Sequence, residues 1–151
     1  SVPPRLRRLG ASFVTVRRDG ELAGCIGSLE AVRPLWRDVE RNARAAAGDD
    51  PRFPPLTADD LGDVAVKVSV LSRTEPLPAD RDGLRAALRP GVDGVLVEAA
   101  GRRGTFLPSV WDVMPDLDGF LDALLAKAGL PGDPWPADLR AWRYTTDEFG
   151  A

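Results

Sequence analysis

Residues 12–27 read SFVTVRRDGELAGCIG, and this stretch predicts the first structural unit of the chain. Ser12 to Arg18 has the composition of a strand, and Asp19-Gly20 is the pair that two-residue type I′ turns prefer. Glu21 to Leu29 then returns as a second strand. We therefore predict an antiparallel hairpin.

The register of this hairpin predicts the surroundings of the single cysteine. Pairing continued inward from the turn places Cys25 opposite Val14 and Ala23 opposite Val16. Side chains two residues apart share a face of a strand, so Ala23 and Cys25 are expected to lie together. Both faces of the hairpin are substantially apolar, and both are expected to be covered at least in part.

The rest of the chain mixes helix and strand signals without regular alternation. Thr57 and Asp60 have capping-box spacing, with Asp in place of the usual Glu or Gln, and Asp116 is a candidate helix cap. Helices are predicted over residues 34–47, 82–88 and 117–128, and strands over residues 64–71, 92–98, 103–107 and 139–145. This order favours an α+β fold, a single compact domain with antiparallel sheets flanked by helices.

The composition excludes several kinds of catalytic centre. The 151 residues include no histidine and only one cysteine. A Ser-His-Asp triad, the usual imidazole-bearing metal site and an internal disulfide are therefore impossible within the chain. We predict no metal site and no cofactor.

Charge and hydropathy restrict the partners and the compartment. A net charge of −3 offers no overall field for a nucleic acid or an anionic membrane, so a nucleic-acid-binding role is disfavoured. No apolar run approaches the roughly 20 residues that span a bilayer. One unpaired thiol and the lack of a targeting segment favour the reducing cytoplasm.

Cys25 is the first candidate functional residue, and three interpretations of it stay open. Gly24 and Gly27 flank it, and small residues let a ligand or a partner backbone approach closely. The thiol could line a binding site, act as a nucleophile or pack as a small apolar group in the core. Its expected neighbours carry no charge to stabilise a thiolate, so the nucleophile is the least favoured of the three.

The other candidates are charged or hydroxyl side chains in two loops. Arg102, Arg103 and Thr105 surround a predicted hairpin tip that could hold a phosphate or a carboxylate, although a solvated turn is the simpler interpretation. Asp50 and Arg52 lie in a proline-stiffened loop, where carboxylates could serve acid–base chemistry or only end the preceding helix. Lys67 is expected to be solvated on the polar side of its strand.

The stretch from Leu22 to Ala31 resembles the signature segment of the AMMECR domain family. Further segments resemble that family in the same order, at residues 10–15, 50–56, 68–72, 88–94 and 101–108. From this resemblance we expect an AMMECR-type domain over residues 10–149, with residues 1–9 as an N-terminal extension. Where the family's signature usually has arginine, this chain has Ala23, which removes a cation expected to lie beside Cys25.

The resemblance implies a fold with a larger and a smaller lobe, and a family whose biochemical activity is not settled. It also implies association with Memo-like proteins and with a radical S-adenosylmethionine protein. A binding or accessory component is therefore the leading hypothesis, and whether the protein is an enzyme is left open. The alternatives are an enzyme that uses Cys25, with Arg103 or Arg17 supplying charge, and the disfavoured nucleic-acid-binding module.

Overall fold

A computed structural model describes residues 2–150 of the chain. The helices of this part are α1 (Pro4–Arg7), α2 (Leu35–Gly48), α3 (Arg81–Ala87) and α4 (Leu117–Lys127), with 3₁₀ helices at Ala58–Asp63 and Pro108–Asp112. The strands are β1 (Leu9–Gly10), β2 (Ser12–Arg18), β3 (Glu21–Gly27), β4 (Arg33–Pro34), β5 (Val64–Leu71), β6 (Glu75–Leu77), β7 (Gly94–Ala99), β8 (Arg102–Phe106), β9 (Arg140–Tyr144) and β10 (Thr146–Gly150).

These elements form two compact units. The first unit runs up to residue 72 and takes in the chain again from residue 147, and the second comprises residues 73–146. The strands form two four-stranded sheets, in the orders β10-β5-β2-β3 and β6-β9-β7-β8, and a separate two-stranded pair of β1 and β4. The predicted α+β class, with antiparallel sheets flanked by helices, is confirmed. Among residues 2–150, no helix has both the length and the apolar character needed to cross a bilayer.

The β2–β3 hairpin forms around Asp19-Gly20 as predicted, but its register is different. Next to the turn, Arg17 pairs with Leu22, and beyond a β-bulge Val16 pairs with Gly24 and Thr15 with Cys25. The extra residue in the bulge shifts all later pairs by one position. The expected pairing of Cys25 with Val14 is therefore wrong.

The bulge also changes which face Ala23 occupies. Ala23 packs against the core cluster that contains Val14, Val16 and Ala46. A Cβ on Gly24 would overlap the backbone carbonyl oxygen of Ala46 in α2, so Gly24 faces the same side. Ala23 and Cys25 therefore lie on opposite faces, which overturns the expectation that an arginine at position 23 would lie beside the thiol.

Helix α2 covers one face of the first sheet. Its residues Val39, Ala43 and Ala46 pack on Val14 and Val16, which are almost completely buried. Burying one valine side chain contributes about 1.5–3 kcal/mol, so this small cluster supplies much of the attraction between helix and sheet.

The capping box predicted at Thr57 is present at the start of the first 3₁₀ helix. The Thr57 backbone N–H donates to the Asp60 carboxylate at 2.8 Å, and this hydrogen bond is the main reason why the pKa of Asp60 is lowered. The chain then enters β5, which confirms the strand predicted over residues 64–71. Turn and capping signals act over a few residues, which is why they could be predicted.

The second unit has the larger apolar core, built around α4. Phe120 stacks on Trp111 with ring centroids 3.7 Å apart, and Leu121 and Leu124 are buried beside them. The Asp116 carboxylate caps α4 by accepting a hydrogen bond from the Gly119 backbone N–H at 2.9 Å, as its position predicts.

Four strands were missed by sequence reasoning: the two-residue strands β1 and β4, and β6 and β10 of the four-stranded sheets. The proline-rich connector contains β6, an edge strand in which Pro76 is tolerated because an edge needs fewer backbone donors. The residues after Tyr144 form β10, which joins the sheet of the first unit beside β5. Both strands are short and polar, so they lack the periodicity that marks a strand in sequence.

Candidate functional site

The residues selected from the sequence fall in different units. Gly24, Cys25, Gly27 and Arg52 belong to the first unit. Arg102, Arg103 and Thr105 belong to the second. The structure brings Cys25 and Arg52 into direct contact.

Cys25 lies in β3, the edge strand of its sheet, where backbone groups lack a further strand to pair with. Two side chains of the loop that follows α2 take the place of that strand. The Cys25 backbone N–H donates to the Asp50 carboxylate at 3.1 Å, and the Arg52 guanidinium donates to the Cys25 carbonyl oxygen at 3.2 Å. We call Asp50 and Arg52 the edge clamp. It satisfies the backbone N–H and C=O of Cys25 and blocks the addition of another strand at this residue.

The two members of the edge clamp are also paired with each other. Arg52 Nε and Nη2 donate to the two Asp50 carboxylate oxygens at 3.0 and 2.8 Å, a bidentate geometry that is stronger than a single hydrogen bond. This guanidinium holds the pKa of Asp50 well below its usual range, with the backbone N–H groups of Cys25 and Arg52 lowering it further against the effect of burial. The paired carboxylate in turn raises the pKa of Arg52.

The Cys25 thiol lies on the face of the sheet away from α2, in a row of polar side chains. Its Sγ is 3.5 Å from the Thr15 hydroxyl, and Thr15 pairs on its other side with Lys67 of β5. The Lys67 ammonium forms an ion pair with Glu148 at 3.0 Å. The expectation of a fully uncharged neighbourhood is therefore wrong, and Lys67 is a half-buried, paired cation and not a solvated one.

The glycines beside Cys25 have steric explanations. Gly24 lies where any side chain would enter the backbone of α2, and a Cβ on Gly27 would overlap the Phe13 ring. Close packing of helix and ring against β3 therefore requires glycine at both positions, independent of any ligand.

A cleft of about 470 Å³ opens on the other side of β3. Its apolar lining comes from the strand and from the proline-stiffened loop: Leu22, Ala23, Phe53, Pro54, Pro55 and Leu56. The Arg18–Asp60 ion pair, 3.0 Å long, lies among the polar residues of its lining. Ala23 leaves room here, so this cleft can accept an apolar group of a ligand or a partner.

A buried polar network joins β2 to α2, and sequence reasoning missed it. The Asp38 carboxylate accepts hydrogen bonds from the Ser12 backbone N–H at 2.8 Å and the Ser12 hydroxyl at 2.7 Å. Asn42 donates to the same carboxylate at 3.1 Å, and Arg33 forms an ion pair with it. The available signal was polar residues one turn apart, Asp38 and Asn42, on the apolar side of a helix. All members are satisfied by each other, which is the requirement for a buried polar group to be tolerated.

The candidate residues of the second unit form hydrogen bonds and ion pairs with other residues of the same unit. Arg102 donates to the Gly129 carbonyl oxygen at 3.2 Å, and Arg103 forms an ion pair with Glu98 at 3.4 Å. The Thr105 hydroxyl donates to the Val95 carbonyl oxygen at 2.8 Å and lies 2.7 Å from the Tyr144 hydroxyl. Thr105 is buried, so it supports the interior, whereas both arginines remain exposed at the hairpin tip.

Residues 2–150 contain no group of three or more Cys, Asp or Glu side chains placed to hold a metal ion.

The fold and the edge strand that carries the thiol define the class: a mixed α/β protein of two antiparallel sheets with a clamped cysteine strand. A family model for AMMECR1 matches residues 1–149, and the chain belongs to this family. A protein of Methanothermobacter thermautotrophicus is 40% identical to this chain, and the match covers 98% of this chain and 79% of the relative. A protein of Thermotoga maritima is also 40% identical, and that match covers 99% of this chain and 83% of the relative. The crystal structure of the uncharacterized protein PH0010 from Pyrococcus horikoshii is similar, with a TM-score of 0.90, 33% identity and coverage of 98% of this chain and 76% of that one.

Proposed function

We propose that this AMMECR1-family protein is a binding or accessory component, and that its partners are a Memo-like protein and a radical S-adenosylmethionine enzyme. One observation carries the binding role: among residues 2–150, the charged side chains hydrogen-bonded to Cys25 hold its backbone, while its thiol lies against the Thr15 hydroxyl. Asp50 and Arg52 bond to each other and to the peptide groups of Cys25. A strand fixed in this way is suited to present a preformed surface.

Two features of the first unit support β3 as the contact surface. The edge clamp holds the strand at Cys25, and the apolar cleft beside Ala23 offers room for a side chain of a partner. Gly24 and Gly27 keep the strand close to its neighbours. We keep Arg102 and Arg103 as a separate proposed anion contact, because both guanidinium groups are exposed at a hairpin tip.

Affinity purification from native cells tests this proposal. The tagged wild-type chain is expected to recover both partners, and Leu22→Arg, which places a charge in the apolar lining of the cleft, is expected to lose them. Ala31→Arg is the matched control, because Ala31 is exposed in the loop after β3. Recovery of neither partner by the wild-type chain rejects the proposed partners, and equal recovery by both variants rejects the cleft as their contact.

A cysteine-dependent enzyme is the second candidate, and one observation favours it. The row Cys25–Thr15–Lys67 places a hydroxyl next to the thiol and a cationic residue at the paired position of the adjacent strand. The positive charge of Lys67 on the adjacent strand would favour the thiolate form of Cys25. This candidate predicts rapid alkylation of Cys25 by iodoacetamide near neutral pH, slowed by Thr15→Val and by Lys67→Met. Labelling that requires denaturation rejects it.

A further inference from the structure

Helix α2 carries a row of arginines on its solvent side. Arg37, Arg41 and Arg44 are spaced by four and three residues, which places them along one face of the helix, and all three are exposed. Glu40 is the exposed acidic residue of this row, and it is 3.9 Å from Arg44. The row therefore has an excess of positive charge although the whole chain has a net charge of −3.

Two of these cations have no acidic partner. Among residues 2–150, no ion pair involves Arg37 or Arg41, whereas Arg33 is neutralised by the buried Asp38. Unpaired guanidinium groups concentrated on one side of a unit attract polyanions through local field and counterion release.

An aromatic ring lies within this positive surface. A shallow cleft of about 350 Å³ is lined by Arg33, Trp36, Arg37, Glu40 and Arg41. The Arg37 guanidinium lies over the Trp36 ring, 4.9 Å from its centroid. Unpaired bases stack on aromatic rings and on guanidinium planes, and nearby cations hold the phosphates. Aromatic and basic groups together are therefore typical of surfaces that bind single-stranded nucleic acid.

The packing of α2 distinguishes nucleic acid from a lipid membrane. A basic helix binds a membrane by inserting its apolar face, but the apolar residues Val39, Ala43 and Ala46 of α2 are packed on the sheet. Leu35 and Val39 line a separate cleft of about 440 Å³, whereas the cleft on the arginine side has Trp36 as its apolar lining residue. We propose that this surface, composed of Trp36, Arg37, Arg41 and Arg44, binds single-stranded nucleic acid through its phosphates and one stacked base. This activity is independent of the partner proteins proposed above.

Fluorescence anisotropy with labelled 12-nucleotide oligo-dT and oligo-U measures this binding as a function of salt. Arg37→Gln combined with Arg41→Gln is expected to flatten the plot of log K against log salt by about 1.4, because each phosphate contact to a single strand contributes about 0.7. Arg17→Gln combined with Arg140→Gln removes the same charge elsewhere at exposed positions and is expected to leave the slope unchanged. If the double variant does not fold, each single variant is expected to lower the slope by about 0.7.

Trp36→Leu tests the stacked base separately. It is expected to weaken binding by about tenfold without changing the salt slope, and Trp36→Phe is expected to restore most of the affinity. Absence of binding at low salt, equal effects of the two arginine pairs, or no effect of Trp36→Leu would each overturn the proposal. Binding to anionic phosphatidylserine vesicles without binding to either oligonucleotide would overturn it in favour of a membrane.

Discussion

Gly24 and Gly27 are surrounded by different kinds of atoms, so alanine should affect them differently. A Cβ at position 24 meets the main chain of α2 at Ala46, which cannot move without shifting the helix. A Cβ at position 27 meets the ring of Phe13, a half-buried side chain that can rotate. We expect Gly24→Ala to lower the free energy of unfolding by about 3 kcal/mol and Gly27→Ala by about 1 kcal/mol. Urea denaturation measures both, and a larger loss at position 27 would contradict this account.

Tyr144 is the one tyrosine in the chain, so its titration can be followed without interference. Burial raises its pKa from 10.0 to about 12, against the opposing effect of the hydrogen bond with Thr105. Because the pKa of Tyr144 is higher in the folded protein than in the unfolded chain, this residue contributes to the free energy of unfolding. The contribution is fully present below pH 10 and is lost as the pH rises toward 12.

Near-ultraviolet absorbance of the tyrosinate is therefore expected to rise with a midpoint near the raised pKa in the folded protein. Tyr144→Phe should remove the loss of unfolding free energy between these pH values, although other alkaline effects remain. A titration midpoint at the ordinary tyrosine value in the native protein would contradict the burial argument.

At the scale of elements, the edge clamp should make the first sheet sensitive to strong acid. The pKa of Asp50 is held below its ordinary value of 3.8 by Arg52, so the clamp's contribution is fully present above that value. It is lost as the pH falls through the lowered pKa, because the protonated carboxyl can no longer pair with the guanidinium.

Asp50→Asn removes the charge and keeps the size of the side chain. The variant is expected to be less stable than the wild-type chain near neutral pH, and the difference between the two should shrink in strong acid. Urea midpoints measured over a pH series check this expectation. Asp49→Asn is the matched control, since Asp49 is an exposed neighbour. A difference that does not depend on pH would contradict the ion pair as its source.

The polar network between α2 and β2 gives a second prediction at this scale. Asp38→Ala leaves the buried Ser12 and Asn42 donors and the Arg33 cation without an acceptor. Removing one member of a buried pair costs about 3–5 kcal/mol, and we expect a loss of that size in the free energy of unfolding.

Glu40→Ala is the control on the same helix. Glu40 forms an exposed pair with Arg44, and such pairs contribute about 0.3–0.5 kcal/mol. Comparable losses for the two variants, measured by thermal and urea unfolding, would show that burial does not set the strength of the Asp38 network.

At the scale of the whole molecule, the first unit is assembled from two distant parts of the chain. The residues of β10 return to the edge of β5 after the complete second unit, and Glu148 pairs there with Lys67. A chain ended after Thr145 therefore loses a strand from the first sheet. Each backbone hydrogen bond contributes about 1 kcal/mol to stability, so the free energy of unfolding of the shortened chain should fall by several times that value.

Hydrogen exchange locates this effect. Amides of β5 are expected to lose protection in the shortened chain, whereas those of β7, which pair with β8 and β9 in the second unit, keep theirs. Unchanged protection in β5 would contradict a stabilising role for β10.

Sequence alone determined the parts of this protein that depend on neighbours along the chain. Asp19-Gly20 predicted the first turn, Thr57 and Asp60 the capping box, Asp116 the start of α4, and the valine alternation β5. The family membership was also predicted from local motifs, and the match over residues 1–149 confirms it. Turn chemistry, capping and periodicity act within a few residues, so their signals survive without knowledge of the fold.

Tertiary structure decided what surrounds Cys25. One bulged residue moved the thiol from Val14 to Thr15 and turned Ala23 toward the cleft. Asp50 and Asp38 each accept a hydrogen bond from a backbone N–H that lies 25 or 26 residues away in the sequence. A bulge is set by how a strand fits the helix packed on it, and a buried carboxylate by which donors the fold brings to it. These are contacts between distant parts of the chain, which no local pattern encodes.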